Sequence, residues 1–237
     1  MVSVGDTIES GNARWSFGGN VCDIFDQHVR KSVPLYDLGH SLICQLSDFF
    51  IYENAVCYEL GCSTGELLIQ LASRNADKAG ARFIGIDIEA NMIQKADDKS
   101  RDLTNIQFVS DDVLHHEYEK ADMIVAYYTI QFIRPAKRQT LFDLIYRSLN
   151  WGGAFLLFEK VRGPDARFQD IISTMYSDYK IEQGYSESEI VNKTRSLKGI
   201  LEPFSSQGNL DLLSRAGFKD YMTIMKSMCF EGFFAIK

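Results

Sequence analysis

Glu59-Leu60-Gly61-Cys62-Ser63-Thr64-Gly65 closes a short apolar run over 55–60 and opens a helical pattern over 65–77 carried by Leu67, Leu68, Leu71 and Ala72. A glycine-rich turn between a buried strand and a helix is where an open α/β sheet binds its ligand, outside the carboxyl ends of the strands. Glycine lets the backbone turn tightly and approach a ligand. The helix start beyond it offers free N–H groups to an anion. A dinucleotide fingerprint would need glycines at 61, 63 and 66, but Ser63 and Glu66 stand at the last two, and Glu66 puts a negative charge where a pyrophosphate should sit. No Gly-Lys-Ser/Thr follows, so the turn is not a nucleotide-triphosphate loop either.

Outward from this turn the pattern repeats. Residues 82–87 (RFIGID), 106–110 (IQFVS), 122–128 (DMIVAYY) and 153–158 (GAFLLF) read as strands, with helices over 90–99 and 137–149. Short apolar strands alternating with helices predict a parallel sheet covered on both faces. Two strands at 221–226 and 232–237 are too close for a crossover and must pair antiparallel. Leu35, Leu38, Leu42 and Leu46 recur at helical spacing behind Pro34, predicting a helix over 35–50. The expected fold is α/β, a doubly wound, mostly parallel, seven-stranded Rossmann-like sheet in one domain over 1–237. Residues 1–20 read as a loose arm, and 160–205 as a polar helical insertion before the last two strands, with Phe168, Tyr176, Tyr179 and Tyr185 in it.

Two acids follow the glycines in strand order. Asp87 ends the second strand, where a carboxylate accepts the hydroxyls of a ribose. Asp112 follows the third, in Ser110-Asp111-Asp112-Val113, where an adenine amino group can be read. Together with Gly61 they predict an adenosine site. Near the strand ends stand His115, His116, Tyr127 and Tyr128; His116 is a candidate general base, Tyr127 a candidate catalytic residue that also lines the cofactor pocket, and Tyr128 a candidate substrate-binding residue. Glu159 and Lys160 could form an ion pair.

Glu59-x-Gly61-x-x-x-Gly65, an acid ending the second strand and an acid after the third resemble the class I S-adenosylmethionine (SAM) dependent methyltransferases over roughly residues 50–160. Over nearly the whole chain the sequence is similar to the carboxy-S-adenosyl-L-methionine synthases, on Arg30-Lys-Ser-Val-Pro34-Leu-Tyr36, Leu60-Gly-Cys-Ser63, Thr129-Ile-Gln-Phe132, Leu149-Asn-Trp-Gly-Gly153, Glu159-Lys160, Gly184-Tyr-Ser-Glu187 and Ala216-Gly-Phe218. The resemblance implies SAM as cofactor, with Tyr36 closing over it, Gly61, Cys62 and Ser63 at its amino-acid end, Asp87 and Ile88 at the ribose, and Asp112 and Val113 at the adenine. Two positions depart from the family pattern. Tyr127 stands where an Asn ends the fourth strand, and Thr194 stands where an Arg holds the extra carboxylate, with Arg195 one place later as a candidate substrate-binding residue. One residue on a helix is about 100° of rotation. The first expectation is therefore methyl transfer to a small-molecule or natural-product acceptor, with carboxy-SAM synthesis from SAM and prephenate for tRNA wobble-uridine modification second. A non-catalytic SAM-binding subunit of a partner enzyme is the third.

The remaining properties bound this reading. The chain has 237 residues, 46% of them hydrophobic, enough for a sizeable core, and a net charge of -7 that argues against an extended nucleic-acid surface. The five cysteines are odd in number and neither paired nor clustered with histidines, so reduced thiols and no metal site are expected. No apolar run reaches a membrane span and no signal segment opens the chain, which predicts a cytoplasmic protein. The aromatic residues of the insertion, with the resemblance to a dimeric family, predict a homodimer.

Overall fold

In a computed structural model, which describes residues 1–18 and 21–237, two minimal strands, β1 (Val2–Ser3) and β2 (Glu9–Ser10), precede helices α1 (Val21–Ser32) and α2 (Tyr36–Ser47). The sheet then builds through β3 (Val56–Leu60), α3 (Glu66–Arg74), β4 (Arg82–Asp87), α4 (Ala90–Lys99), β5 (Ile106–Ser110) and β6 (Ala121–Tyr127). A single 3-10 turn (Ile130–Phe132) leads to α5 (Pro135–Ser148) and β7 (Leu149–Lys160). Helices α6 (Ala166–Glu182), α7 (Glu187–Ser196) and α8 (Ser206–Ala216) come before β8 (Asp220–Ser227) and β9 (Phe230–Ile236).

The seven strands run in the order β5-β4-β3-β6-β7-β9-β8, parallel except for β9, which is antiparallel to both β7 and β8. Strand order reverses between β3 and β6, so the turn after β3 opens at the switch point of the sheet. β3 and β6 are buried along their whole length, which is why they read as continuous apolar runs rather than alternating ones. One apolar cluster, with Leu68, Leu71, Phe83 and Phe158, lies under α2, α3 and α4. The other, with Leu141, Phe142, Leu157 and Leu213, lies under α5 and α8. Pro135 occupies the first position of α5, where its missing N–H costs nothing and its fixed φ suits a helix. Ser186 and Glu189 close a capping box on α7, and Ser205 caps α8 by accepting from the Gly208 N–H at 3.1 Å.

The arm is not loose. Val4, Ile8 and Trp15 are buried in a third apolar cluster against Leu197 and Ile200. The Ala13 N–H donates to the Arg195 carbonyl at 2.9 Å and the Trp15 N–H to the Ser196 carbonyl at 3.1 Å. Three apolar residues scattered over twelve positions show no helix or strand period, and their partner lies far along the chain, so no local pattern reveals the packing. Gly19 and Asn20, also in the expected arm, lie outside the described residues. None of the five cysteines forms a disulfide, and no described helix is long and apolar enough to cross a membrane.

Candidate active site

A cavity of about 1200 Å³ opens over the carboxyl ends of β3, β4, β5 and β6, roofed by α1, the start of α2, α6 and α7. This exceeds the usual range for one small ligand and suits two held side by side. Among the residues named from sequence, Tyr36, Gly61, Cys62, Ser63, Asp87, Ile88, Asp112, Val113, Tyr127 and Tyr128 all line it. Thr194 lines it as well.

Local backbone chemistry builds the first half. Gly61 and Gly65 hold φ of +69° and +76°, and a Cβ on Gly61 would run into the Thr129 side chain. The Gly61 and Cys62 N–H groups reach back to the Ile86 carbonyl at 2.7 and 3.0 Å, fixing the turn to β4. Asp87 is part of the same frame: one carboxylate oxygen accepts the Ser63 N–H and the other the Glu89 N–H, each at 2.9 Å. Burial raises the Asp87 carboxyl above its ordinary pKa while those two N–H groups pull it down. Asp112 accepts the Leu114 N–H at 2.9 Å beside the buried Val113. Helix α1 is held over this half by charge: Arg30 bonds Glu66 and Asp37, and Lys99 reaches Asp26 at 2.5 Å.

Aromatic rings form the middle of the cavity. The Tyr127 hydroxyl donates to the Tyr36 carbonyl at 2.6 Å and fills the space where a Cβ on Gly39 would stand. Tyr36 lies 5.1 Å from Tyr127 and 6.4 Å, stacked, from Tyr128. Tyr128 holds a φ of +60°, a strained conformation for a bulky residue, and its buried hydroxyl has no hydrogen-bond partner. Burial raises the pKa of both phenols, so neither is a base in the resting protein.

The far half is lined with amines. Lys160 on β7 and Lys180 on α6 face the Tyr176 ring at 4.2 and 4.9 Å, and Lys193 on α7 sits 2.7 Å from the centre of the Trp15 ring. All three line the cavity, with Arg162 beside them. Burial lowers all three amines; a neighbouring lysine then adds to the effect at two of them, Lys160 on Lys180, which falls to about 8, and Lys180 on Lys193, which falls to about 6. Three amines thus share one cavity wall in a chain of net charge -7, an arrangement suited to an anion.

Three expectations fail on geometry. His116 does not line the cavity; its Nδ1 lies 2.8 Å from Asp111, and its ring packs edge-on against Tyr58 and Tyr118 at 5.9 and 4.9 Å. The segment after β5 follows the cavity wall as far as Leu114 and then leaves it, so that His116 packs on Tyr58 and the exposed His115 lies outside the cavity too. Arg195 is exposed and absent from the cavity wall, because one step along α7 from Thr194 swings it off the inner face. Glu159 and Lys160 make no ion pair, since consecutive strand residues point to opposite faces. Lys160 enters the cavity, while Glu159 is sealed on the other side with one carboxylate oxygen unpartnered, and burial pushes its pKa up to about 8 against the pull of Arg138.

That sealed carboxyl has a consequence for stability. The folded pKa stands above the ordinary 4.5, so the stability of the protonated form is full below pH 4.5 and is lost as pH rises through about 8. Denaturant unfolding should therefore show the native protein losing ground to Glu159→Gln by about 1.4 kcal/mol per pH unit across that window. A difference that stays flat with pH would contradict the neutral buried carboxyl.

Sequence comparison follows this geometry. The family described as "Methyltransferase domain" matches residues 58–153, the glycine turn through β7. The chain is 36% identical over 225 residues to carboxy-S-adenosyl-L-methionine synthase of Staphylococcus epidermidis, covering 94% of this chain and 97% of that one. It is 36% identical over 230 residues to the protein of the same name from Campylobacter jejuni, covering 97% of each. The chain belongs to the carboxy-S-adenosyl-L-methionine synthase family. Solved structures share the fold: a putative O-methyltransferase from Nostoc punctiforme superposes with a TM-score of 0.64 at 16% identity over 92% of this chain and 61% of that one. Human N-acetylserotonin methyltransferase in complex with SAM does so at 0.57 and 18% identity, over 92% and 53%. A carboxy-S-adenosyl-L-methionine synthase family member is a SAM-dependent transferase, and SAM is its cofactor. The residues present fit that cofactor. The Gly61 turn presents bare backbone at the cavity wall, with Thr129 packed where a side chain would stand, and Asp87 is oriented by two backbone donors.

Sequence reasoning missed Lys180, Lys193 and Trp15. A signal for one of them existed: Tyr176 and Lys180 are four apart on a helix, a spacing that stacks an amine and a ring on one face.

Proposed function

We propose that the protein transfers a carboxyl group to SAM, making carboxy-SAM from SAM and a dicarboxylic donor such as prephenate. The observation that carries this reading is the cluster of Lys160, Lys180 and Lys193 in the same cavity as Gly61, Asp87 and Asp112. Thr194 removes the arginine expected for a carboxylate, but three amines a short way along the wall can satisfy one. Bound there, SAM would supply a sulfonium that acidifies its methyl group: the methyl C–H would give up its proton, the donor's C–CO2 bond would break, and the methyl carbon would bond the released carboxyl carbon, while the ring hydroxyl of prephenate would leave with that proton as water and the donor would end as phenylpyruvate.

The chain's own groups have plain tasks. Asp87 and Asp112 fix the adenosine half, and the tyrosine rings wall off water beside the sulfonium. The lysines hold the anionic donor and align its carboxyl with the methyl group. The Tyr128 hydroxyl, buried without a partner, donates to an oxygen of that donor. Tyr128→Phe should raise KM for prephenate about tenfold in steady-state kinetics while the affinity for S-adenosylhomocysteine stays constant; an unchanged KM would remove the residue from the donor site.

Methyl transfer to an acidic small molecule is the second reading, favoured by Thr194, which offers one neutral hydroxyl in place of a guanidinium. Mass spectrometry of the small molecule that co-purifies separates the two: carboxy-SAM supports the first reading, SAM or S-adenosylhomocysteine alone the second. We propose further that the protein works as a homodimer in the cytoplasm, with α6 at the interface. Phe168, Ile171 and Met175 form an exposed apolar stripe on its outer face. Light scattering at micromolar concentration should give twice the chain mass, and a monomer mass would refute the pairing.

A further inference from the structure

We propose that His28 is a positioning residue for Lys193, holding its amine at the cavity wall through a buried chain that runs Asp6–His28–Lys193. His28 Nδ1 lies 2.7 Å from an Asp6 carboxylate oxygen and its Nε2 lies 3.1 Å from Lys193 Nζ. Carboxylates accept only, so Nδ1 carries the proton and donates to Asp6; Nε2 is left as the acceptor for the amine. The chain is locked at each link. Lys31 Nζ holds the other Asp6 oxygen at 2.7 Å, and the Tyr185 hydroxyl donates to the first. Trp15 stacks on the His28 ring, with centres 5.8 Å apart and planes at 25°, and carries Lys193 over its face. His28, Lys193 and Tyr185 are all buried.

The parts come from four places that no local pattern connects: Asp6 in the arm, His28 and Lys31 on α1, Tyr185 after α6, and Lys193 on α7. The arm is thus tied to the site. It clamps the end of α7 through Ala13 and Trp15 and sets the amine of that helix through Asp6.

The electrostatics agree with the geometry. The charged and titratable groups around Lys193 are Asp6, His28, Lys31, Lys180, Tyr185 and, on α7 itself, Glu189. Burial and then Lys193 push His28 down to about 4, so it stays neutral and keeps its acceptor lone pair across the physiological range. Burial and then Lys180 push Lys193 down to about 6, so a bound carboxylate, which favours the ammonium, draws a proton onto an amine already in place. Asp6 sits one ring away to balance that charge.

Two measurements test this on the full-length protein in complex with S-adenosylhomocysteine. Calorimetric titration with prephenate should show about tenfold weaker binding for His28→Leu than for the native protein. His28→Gln, which keeps an acceptor and a donor, should bind within about threefold. Affinity for S-adenosylhomocysteine should match in all three. Equal prephenate affinity in native and His28→Leu protein would overturn the proposal. This readout rests on the proposed function. The second does not: competitive acetylation of Lys193 across pH, read by peptide mass spectrometry. Its midpoint should move by about one pH unit in His28→Leu and by less in His28→Gln. Should prephenate bind to none of the three, the carboxyl-donor reading fails while a moved midpoint still upholds the positioning role. An unmoved Lys193 midpoint overturns it.

Discussion

Lys180→Met is expected to lower prephenate affinity about a hundredfold and at the same time to raise the melting temperature. The two effects share one cause. Lys180 is buried with its ammonium against the Tyr176 ring, and burial with a second amine, Lys160, nearby already depresses its pKa to about 8. In the ligand-free protein that charge is poorly compensated, so an unbranched apolar side chain of similar length relieves a cost. When a carboxylate arrives the same ammonium supplies a charge-assisted hydrogen bond in a space shielded from water, and truncating one partner of such a pair costs about 2–5 kcal/mol. Calorimetry in the presence of S-adenosylhomocysteine, beside a thermal melt, reads both. A variant that is less stable and binds prephenate normally would mean that Lys180 is a structural residue.

Asp87→Ala should weaken S-adenosylhomocysteine binding well over tenfold, about 2–4 kcal/mol, without unfolding the protein. The carboxylate has two roles at once. In the proposed site it accepts the ribose hydroxyls, and in the structure it fixes the Ser63 and Glu89 N–H groups at 2.9 Å. Alanine leaves those donors and the ribose without an acceptor and frees the turn after Gly61. Asp87→Asn, which retains one acceptor oxygen, should fall between alanine and the native protein. Calorimetric titration with S-adenosylhomocysteine that finds alanine equal to the native protein would sink the assignment of this strand end to the ribose.

The sheet was legible because its signals are local. A buried parallel strand writes itself as an uninterrupted apolar run, and Gly61, Asp87 and Asp112 each follow a strand directly, so order along the chain maps onto position across the sheet. The lysine-lined half was not legible, because Lys160, Lys180 and Lys193 come from a strand and two insertion helices and meet only in the folded chain. His116 misled for the matching reason: its position after β5 is right for a base, but the direction of the chain beyond Asp112 is a tertiary matter. Arg195 shows the sharpest limit. Sequence places it one residue from the expected arginine, and only the helix phase of α7 decides that Thr194, not Arg195, faces the cavity.

If the proposal is right, the lysine-lined half takes a carboxyl donor for SAM held in the other half. Purified protein incubated with SAM and prephenate, and analysed by mass spectrometry, measures it directly. A product heavier than SAM by one carboxyl group, absent in the Lys160→Met, Lys180→Met double variant, is the predicted result. SAM recovered unchanged from a native protein shown by calorimetry to bind it would contradict carboxyl transfer.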